Sequence, residues 1–486
     1  MGRAPDTGRG TKFMKNLERA LRLAVACMGC VTPVLAAEGG GATLKEAAVV
    51  TEVLEWGETV TALRLEYTDD IDCRAVEYSN EQPGKMTYHL VNDRTIANLY
   101  VNDSGRKDDI ALHGHYVFIN LTARNMDYTK YRDEVTFNTT SKYRDKVSAY
   151  YGFQSEPIVT RSGRTIAPNR FITTREIALG VDDFTTLTWR NDRTGHTLYY
   201  HLYVPKGYET RGGAARALPL VVHFPSGDYS YTDSAGKYRG ALFTHPDALY
   251  WASAESQAAN PAFVVTVGGP ADPSWNGEFA KSEMQQNYVK VIDRILADYN
   301  VDPSRIYAIS LAGGSVPMWY TILANPQLFA AQISTAYDPY HAFKDLKLGE
   351  DNFAAMLKAM PGWFFAGLTD GSGAGSLGPG DTRLKGDRLR DIAGVMNRRG
   401  LNVDIGYGKE GELMWNGLLR GDKAEQLARA QLARASANNS HHLVTLYIPN
   451  TIPQTMHWSW NATYSNAVVR NWLFQQVNDR PYVPAR

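Results

Sequence analysis

The chain has little cysteine, no excess of charge and no long apolar run. Its 486 residues include three cysteines, and two of them, Cys27 and Cys30, lie in a predicted leader segment. Once that segment is removed only Cys73 remains, which excludes an intrachain disulfide and leaves a cysteine or zinc mechanism unsupported. Basic and acidic residues number 51 each, so the zero net charge gives no argument for a nucleic-acid or acidic-membrane partner.

Residues 1–37 have the pattern of a secretory signal peptide. Basic residues between positions 12 and 22 precede an apolar run at 23–31, and small residues then lead to Ala36 and Ala37, the two predicted cleavage positions. The apolar run is too short for a membrane span. We therefore expect a secreted or periplasmic protein, and a lipid anchor on Cys27 or Cys30 is the alternative.

Residues 45–165 are predicted to form an all-β unit followed by a polar bridge. Five segments alternate apolar and polar side chains over five to seven residues, and clusters of Asp, Asn, Gly and Pro separate them. This spacing is typical of an immunoglobulin-like β-sandwich. The segments are 49–54, 61–67, 86–90, 95–101 and 116–121, and the bridge runs from about 125 to 164.

From residue 184 to residue 486 the pattern changes to strands that alternate with helices. Two apolar runs, 218–224 and 262–267, are continuous, which indicates strands covered on both faces. Repeated βα units predict an α/β fold with a mostly parallel sheet and helices on both faces. Further strands are predicted at 188–190, 197–204, 330–336, 362–368 and 442–449, and helices at 282–299, 387–399 and 466–476, while 403–407 is left open as a strand.

Residues 305–315 predict a strand, a glycine-rich turn and a helix, which is the setting of the G-x-S-x-G nucleophile elbow in α/β-hydrolases. Residues 310–314 read SLAGG, so Ala312 stands at the position of the nucleophilic serine. Ser310 or Ser315 could supply a hydroxyl only in a shifted register. We expect Ser315 at the helix N-terminus instead, with its hydroxyl bonded to backbone N–H groups.

The other two groups of a Ser-Asp-His triad are expected on loops after later strands. Asp370 follows the strand at 362–368, and His457 follows the last strand. An imidazole takes the proton of the hydroxyl, and a buried carboxylate holds that imidazole in the required tautomer. Two alternatives stay open, because Asp370 precedes glycine and could be a turn former and His457 could be a packed core residue. Asp381 is a competing carboxylate, and His341, His441 and His442 are expected on the surface or in loops, without metal-ligand spacing.

These motifs resemble those of secreted α/β-hydrolase esterases, including feruloyl-esterase-like and polyhydroxybutyrate-depolymerase-like members. Residues 302–314 (DPSRIYAISLAGG) are similar to the family's D-P-x-R-I-Y-x-x-G-x-S-x-G-G block. Residues 367–370 (GLTD) are similar to its G-x-x-D acid motif, and 457–464 (HWSWNATY) to its histidine motif. A subset of these esterases carries an N-terminal immunoglobulin-like domain, which residues 95–103 and their flanks resemble.

The resemblance implies a carboxylic-ester hydrolase that acts on a small-molecule or polymeric ester and needs no cofactor or metal. One departure concerns the oxyanion hole, because Pro225 replaces part of the family's His-Gly and has no N–H to donate. The expected site residues are Ala312, Asp370 and His457 for catalysis, Gly313, Ser226 and Gly227 for the oxyanion, and Trp275 and Trp458 for the substrate.

Residues 371–440 make a long connection between the acid and the histidine. A helical segment at 423–435 has only a narrow apolar stripe, with Leu427 and Leu432, which suits a helix on the surface. It could be a lid over the cleft or a solvated decoration. The sequence gives no indication of the oligomeric state.

Three interpretations of function follow from this pattern. The first is an esterase whose nucleophile position holds alanine, since a histidine and a carboxylate have no obvious use without a nucleophile. The second is a pseudoenzyme that binds an ester, glycan or polymer, because Ser310 and Pro225 also depart from the family. The third is slow turnover with water as the nucleophile.

Overall fold

A computed structural model describes residues 42–55, 57–77, 86–90, 94–122, 149–192, 195, 197–208, 216–226, 239–270, 282–337, 339, 349–358, 360–371, 384–405, 413–453 and 455–484. The predicted signal peptide therefore lies outside the described residues, as do Gly227, Trp275, His341 and Asp381. None of the helices within the described ranges is both long and apolar enough to cross a membrane.

The first part of the chain forms sheets that face one another across an apolar core. Its strands are β1 (Leu44–Leu54), β2 (Gly57–Asp72), β3 (Tyr88–Leu90), β4 (Ile96–Asn102), β5 (His113–Leu121), β6 (Tyr151–Gln154), β7 (Ile158–Val159), β8 (Thr165–Ile166), β9 (Asn169–Ile172) and β10 (Arg175–Leu179). They are ordered β10-β1-β2-β5-β4 in one sheet and β3-β6-β9 in the other, with β7-β8 as a separate pair. Alternate residues of β2, Leu63, Leu65 and Tyr67, are buried against Tyr88 and Phe171 of the smaller sheet. The predicted immunoglobulin-like β-sandwich is confirmed.

A nine-stranded mixed sheet forms the centre of the second part. Its strands are β11 (Phe184–Arg190), β12 (Thr197–Tyr203), β13 (Leu218–Phe224), β14 (Phe263–Pro270), β15 (Val301–Leu311), β16 (Ala331–Thr335), β17 (Gly362–Gly367), β18 (Val403–Ile405) and β19 (His442–Tyr447). The order is β11-β12-β14-β13-β15-β16-β17-β19-β18, and strands from β14 onward in this order are parallel. Every residue of β13 and β17 is buried, which explains their continuous apolar sequences.

Helices cover both faces of this sheet. Successive residues of β13 point to opposite faces, so Val222 joins one apolar core and Val221 the other. The helices are α1 (Gly240–Phe243), α2 (Asp247–Ala252), α3 (Ala254–Ala259), α4 (Ser282–Asp298), α5 (Ser315–Ala324), α6 (Glu350–Lys358), α7 (Lys385–Arg398), α8 (Asp422–Ala437), α9 (Ser459–Tyr464) and α10 (Ala467–Phe474). Apolar residues of α4 to α7 pack on the first face, and those of α1, α2 and α8 to α10 on the second. This is the predicted α/β-hydrolase fold.

The segment between the acid and the histidine belongs to these layers. Strand β18 pairs in parallel with β19, so the segment left open at 403–407 does contain a strand. Helix α8 packs on the sheet, where buried Gln431 donates from Nε2 to the carbonyl of Val444 at 3.1 Å. Its Arg434 also pairs with buried Asp404 of β18 at 2.8 Å. The lid interpretation is therefore wrong for this helix, whose buried small residues Ala428 and Ala435 let it lie close to the strands.

The two parts of the chain touch at the turn between β1 and β2. The Glu55 carboxylate accepts from Arg420 Nη2 at 2.7 Å, and the Glu55 carbonyl accepts from Asn461 Nδ2 at 2.7 Å. Asn461 lies in α9, directly after the loop that carries His457. The β-sandwich thus contacts the element that follows the histidine.

Candidate active site

The turn after β15 has the backbone of a nucleophile elbow. Ala312 follows the buried end of β15, begins a short 3₁₀ turn over residues 312–314, and has φ of +43°. A non-glycine residue in this region is uncommon, and an alanine there costs about 1 kcal/mol. The strand, the strained turn and the helix α5 are the context in which a nucleophile is held at the end of a strand.

Close packing against β13 accounts for the tightness of the turn. A Cβ on Gly314 would lie 2.1 Å from the carbonyl oxygen of Phe224 and 2.3 Å from that of Pro225. Only glycine therefore fits, and the predicted oxyanion loop at Pro225 and Ser226 is brought against the elbow. Gly313 is exposed, and nothing lies within 4 Å of where its Cβ would be.

Neither alternative serine has an accessible hydroxyl. Ser310 and Ser315 are both fully buried, and their Oγ atoms are hydrogen-bonded to each other at 2.7 Å. The expected capping role of Ser315 is wrong, because helix α5 has Gly314 at its N-cap and no side-chain cap bond. The two hydroxyls satisfy one another beneath the elbow, since a buried hydroxyl needs a hydrogen-bond partner.

The acid and the histidine meet through two loops at neighbouring strand ends. A Cβ on Gly367 would lie 2.4 Å from the carbonyl oxygen of Met456, so the glycine of the acid motif lets the two loops touch. Three residues later Asp370 is 2% exposed, and its Oδ2 lies 2.9 Å from Nδ1 of His457. A buried carboxylate bonded to an imidazole is more than the turn former that the glycine-rich context also allowed.

Burial and two charged neighbours affect the pKa of His457. Burial lowers its pKa below the ordinary value, the hydrogen bond to Asp370 raises it, and the nearby charge of Lys385 lowers it again. With an N–H at Nδ1 donated to Asp370, the Nε2 atom is left as the proton acceptor. The imidazole is packed edge-on against Trp460, with ring centroids 5.2 Å apart, and its side chain is 22% exposed.

The three predicted catalytic positions follow parallel strands of one sheet. β15, β16, β17 and β19 are neighbours in that order, so their carboxyl ends share one edge. Ala312 also belongs to the same apolar cluster as Trp458 and Trp460. Trp458 directly follows His457 in the chain, and Trp460 packs against its ring.

The remaining candidate residues occupy different surroundings. Trp458 is 7% exposed and packs edge-on against the buried His245 at 5.0 Å, so it supports the histidine loop from within the core. His442 was expected on the surface or in a loop, and this prediction is wrong because it is a buried residue of β19. Burial lowers the pKa of His442 to about 4.

Two contacts of the site were missed in the sequence. Lys385, the first residue of α7, places its buried Nζ 3.2 Å from Nδ1 of His457. Lys385 lies two residues before the helix predicted at 387–399, so no sequence signal singled it out. Tyr464 donates its hydroxyl to the carbonyl of Ser310 at 2.6 Å and so joins α9 to the strand beneath the elbow.

A group that could hold a metal ion lies in the β-sandwich, far along the chain from the elbow. Ligand atoms of Asp70, Asp103 and His113 lie within 4.8 Å of one another. Arg161 already pairs with Asp70 at 3.2 Å, and all three residues are at least partly exposed. Such exposed groups are common without a metal.

Comparison with known proteins gives a family for the first domain and a fold for most of the chain. Residues 46–167 match the family described as the esterase immunoglobulin-like N-terminal domain. The resemblance to esterases with such a domain is confirmed. A thermostable esterase of known structure is 23% identical and has a TM-score of 0.65, covering 89% of this chain and 100% of that one.

More distant matches have lower scores. A ferulic acid esterase from Anaeromyces mucronatus, solved with ferulic acid, has 10% identity and a TM-score of 0.35, over 60% of this chain and 90% of that one. Another ferulic acid esterase has 14% identity and a TM-score of 0.37, over 60% and 98%. Neither match bears on function at these scores. No curated protein matches the chain in sequence.

Proposed function

We propose that this chain has the site of a serine-type carboxylic-ester hydrolase, with Ala312 in the nucleophile position, and that it is inactive or nearly so as it stands. The observation that carries the proposal is the Asp370–His457 hydrogen bond at the sheet edge where the elbow also ends. The strained φ of Ala312 supports it, because the turn keeps the backbone that a nucleophile needs. We further propose that the protein is secreted or periplasmic and that its ligand is a small-molecule or polymeric ester.

A serine at position 312 would complete the chemistry. His457 Nε2 would take the hydroxyl proton while the oxygen attacks the ester carbonyl, and Asp370 would stabilise the imidazolium that forms. The Gly313 amide and an amide near Ser226 are the proposed donors to the oxyanion. The imidazolium would then protonate the leaving alcohol, and water would hydrolyse the acyl group by the same steps.

The test is the Ala312→Ser variant, assayed with p-nitrophenyl esters of increasing chain length and with methyl ferulate. Loss of a triad nucleophile costs up to about 10⁶-fold in kcat, so we expect a rise of at least about 10³-fold over the parent chain. A fluorophosphonate probe should label position 312, as read by peptide mass spectrometry. The double variant Ala312→Ser with His457→Gln is the matched control and should show neither gain. A folded Ala312→Ser protein with no activity and no labelling would reject the proposal.

A second candidate is a pseudoenzyme that binds an ester, glycan or polymer without turnover. The buried bond between Ser310 and Ser315 favours it, because the sequence beneath the elbow differs from the family at more than the nucleophile. Calorimetric titration of the unmodified chain with methyl ferulate and with soluble polyester fragments tests this candidate. Gly313→Leu is the control, since its side chain would enter open space above the elbow and block the cleft. Affinity weaker than millimolar, or unchanged by Gly313→Leu, would count against binding in this cleft.

A further inference from the structure

Lys385 is a buried cation at the centre of the acid and histidine pair. Its side chain is 3% exposed, and Nζ lies 3.4 Å from Oδ2 of Asp370 and 3.2 Å from Nδ1 of His457. Nζ also donates to the carbonyl of Ala336, and the ring of Tyr337 lies beneath it at 5.7 Å. The backbone adds a further link, because the amide of Lys385 donates to the carbonyl of Asp370 at 2.9 Å.

Helix stability does not explain a lysine at this position. Burying an ammonium costs several kcal/mol unless it is paired, and a cation in the first turn of a helix opposes the helix dipole. Gly386, the next residue, has no room for a side chain because a Cβ would lie 2.7 Å from the carbonyl of Leu368. The start of α7 is therefore packed directly against the acid loop, and the ammonium is oriented toward the catalytic groups.

The position of the ammonium bears on the two tautomers of His457. Nδ1 has one lone pair or one proton and two polar neighbours, Oδ2 of Asp370 at 2.9 Å and Nζ of Lys385 at 3.2 Å. A proton on Nδ1 is donated to the carboxylate and leaves Nε2 as a base, whereas a bare Nδ1 accepts from the ammonium and puts the proton on Nε2. The anionic oxygen is the nearer partner, which favours the first arrangement.

We propose that Lys385 is a positioning residue of this site, whose ammonium holds the Asp370 carboxylate and sets the protonation state of His457. When the imidazole is protonated, two cations lie within 3.5 Å of one another and share one carboxylate oxygen. The like charge disfavours the imidazolium, so His457 remains a neutral base to lower pH than it would beside Asp370 alone. In the proposed hydrolase the same repulsion favours return of the proton to the leaving group.

Among the residues that the structure describes, three titratable groups interact with His457 from the elements packed around it. Asp370 comes from the loop after β17, Lys385 from the start of α7, and His245 from the segment before α2. Burial lowers the pKa of His245 to about 3, so this residue is neutral near neutral pH. Lys385 is therefore the only one of the three that carries positive charge near neutral pH.

The decisive experiment measures the titration of His457 by NMR of ¹⁵N-histidine-labelled protein, with the resonance assigned by His457→Gln. In the unmodified chain we expect the Nδ1–H tautomer at pH 7 and a pKa below the ordinary value of about 6.5. Lys385→Met should raise that pKa by about 1 unit or more. Arg390→Met removes a partly exposed positive charge, paired with Asp387, from the same helix and should shift the pKa by less than about 0.3 units.

Each outcome of this experiment decides the inference. An unshifted pKa of His457 in folded Lys385→Met would overturn the inference. A pKa of His457 at or above 6.5 in the unmodified chain would also overturn it, and this measurement does not require a variant to fold. Although the catalytic part rests on the proposed function, the NMR part does not. In the Ala312→Ser chain, Lys385→Met should move the acid limb of the kcat/KM pH profile upward by the same amount. A shifted NMR titration with an inactive Ala312→Ser chain would reject the esterase and retain the role of Lys385.

Discussion

The elbow around Ala312 and the pair formed by Asp370 and His457 lie at one edge of the sheet. The elbow has the backbone of a catalytic site without the side chain, whereas the pair has both. The elbow keeps a strained backbone, with φ of +43°, although the side chain that would use this geometry is a methyl group. The pair has both side chains in hydrogen-bonding geometry, with Nδ1 of His457 2.9 Å from Oδ2 of Asp370. The elbow backbone is packed against the end of β13 at Gly314, whereas the pair is held by contacts between charged and polar side chains.

The pair itself contains two kinds of constraint. Asp370 is tied to buried Lys385 as well as to His457, so its removal would leave an ammonium without its carboxylate. Stability alone is thus a reason to retain Asp370. His457 is joined to the same carboxylate by a hydrogen bond at 2.9 Å, and this bond is the observation that supports the proposed serine-type site.

The largest expected effect comes from breaking the pair in an active background. Asp370→Asn in the Ala312→Ser chain should lower kcat by about 10⁴-fold, because the amide cannot hold the imidazole in the required tautomer or stabilise the imidazolium. Steady-state kinetics with a p-nitrophenyl ester measures this. Asp404→Asn is the control, since it also removes a buried carboxylate from an ion pair, with Arg434 at the far edge of the sheet. Equal losses in the two variants would contradict the assignment.

Variants at the two elbow glycines, Gly313 and Gly314, test whether close packing against β13 holds the elbow backbone. Gly314→Ala should lower the free energy of unfolding by about 3 kcal/mol, because the new Cβ would collide with the Phe224 and Pro225 carbonyls. Gly313→Ala should change it by less than about 0.5 kcal/mol, since nothing lies within 4 Å of its Cβ. Urea denaturation of both variants provides the measurement. Similar losses would show that the elbow is not held by its approach to β13.

A smaller effect is expected at the contact between Tyr464 of α9 and Ser310 of β15. Tyr464→Phe should cost about 1–2 kcal/mol, because the Ser310 amide and carbonyl both lose a buried partner. Hydrogen exchange of the Ser310 amide should also become faster. Tyr307→Phe removes another buried hydroxyl bond, to the Gln476 carbonyl at 2.8 Å, and should leave the Ser310 amide protected. An unchanged exchange rate of the Ser310 amide in Tyr464→Phe would contradict the role of the Tyr464 hydroxyl in protecting it.

The smallest expected difference concerns strain at the nucleophile position. Ala312→Gly should change the free energy of unfolding by less than about 1 kcal/mol, because relief of the positive φ offsets the lost methyl group and the added chain entropy. Ala428→Gly in the buried face of α8 should cost about 2 kcal/mol, since no strain is relieved there. Equal costs in urea denaturation would mean that the elbow stores no strain at position 312.

Most of the fold could be predicted because its signals are local. The continuous apolar sequence of β13, the alternation in β2 and the helical spacing in α4 each reflect which side of an element is buried. The order of the candidate groups along the chain also followed from strands that end at one edge. These inferences needed no knowledge of contacts between distant segments.

The errors concern burial and partners, which distant segments determine. The narrow apolar stripe of α8 predicts a surface helix, either a lid or a solvated decoration, yet small side chains such as Ala428 and Ala435 allow the helix to lie directly on the strands. His442 is predicted on the surface or in a loop, since no metal-ligand spacing accompanies it, but it is a buried residue of β19, which has a neighbouring strand on each side. Ser315 is predicted to cap α5, but its hydroxyl is instead hydrogen-bonded to that of Ser310 at 2.7 Å.

The amino-acid sequence by itself determined the kind and order of the elements, the alanine at the elbow and the acid and histidine that follow later strands. Periodicity and turn chemistry act between near neighbours, so they can be read along the chain. Only the tertiary structure decided that Lys385 joins Asp370 and His457, and that the carbonyls of β13 press against Gly314. Such contacts arise when separate segments are buried together, because each buried charge or close-packed atom then acquires partners that its own segment does not supply.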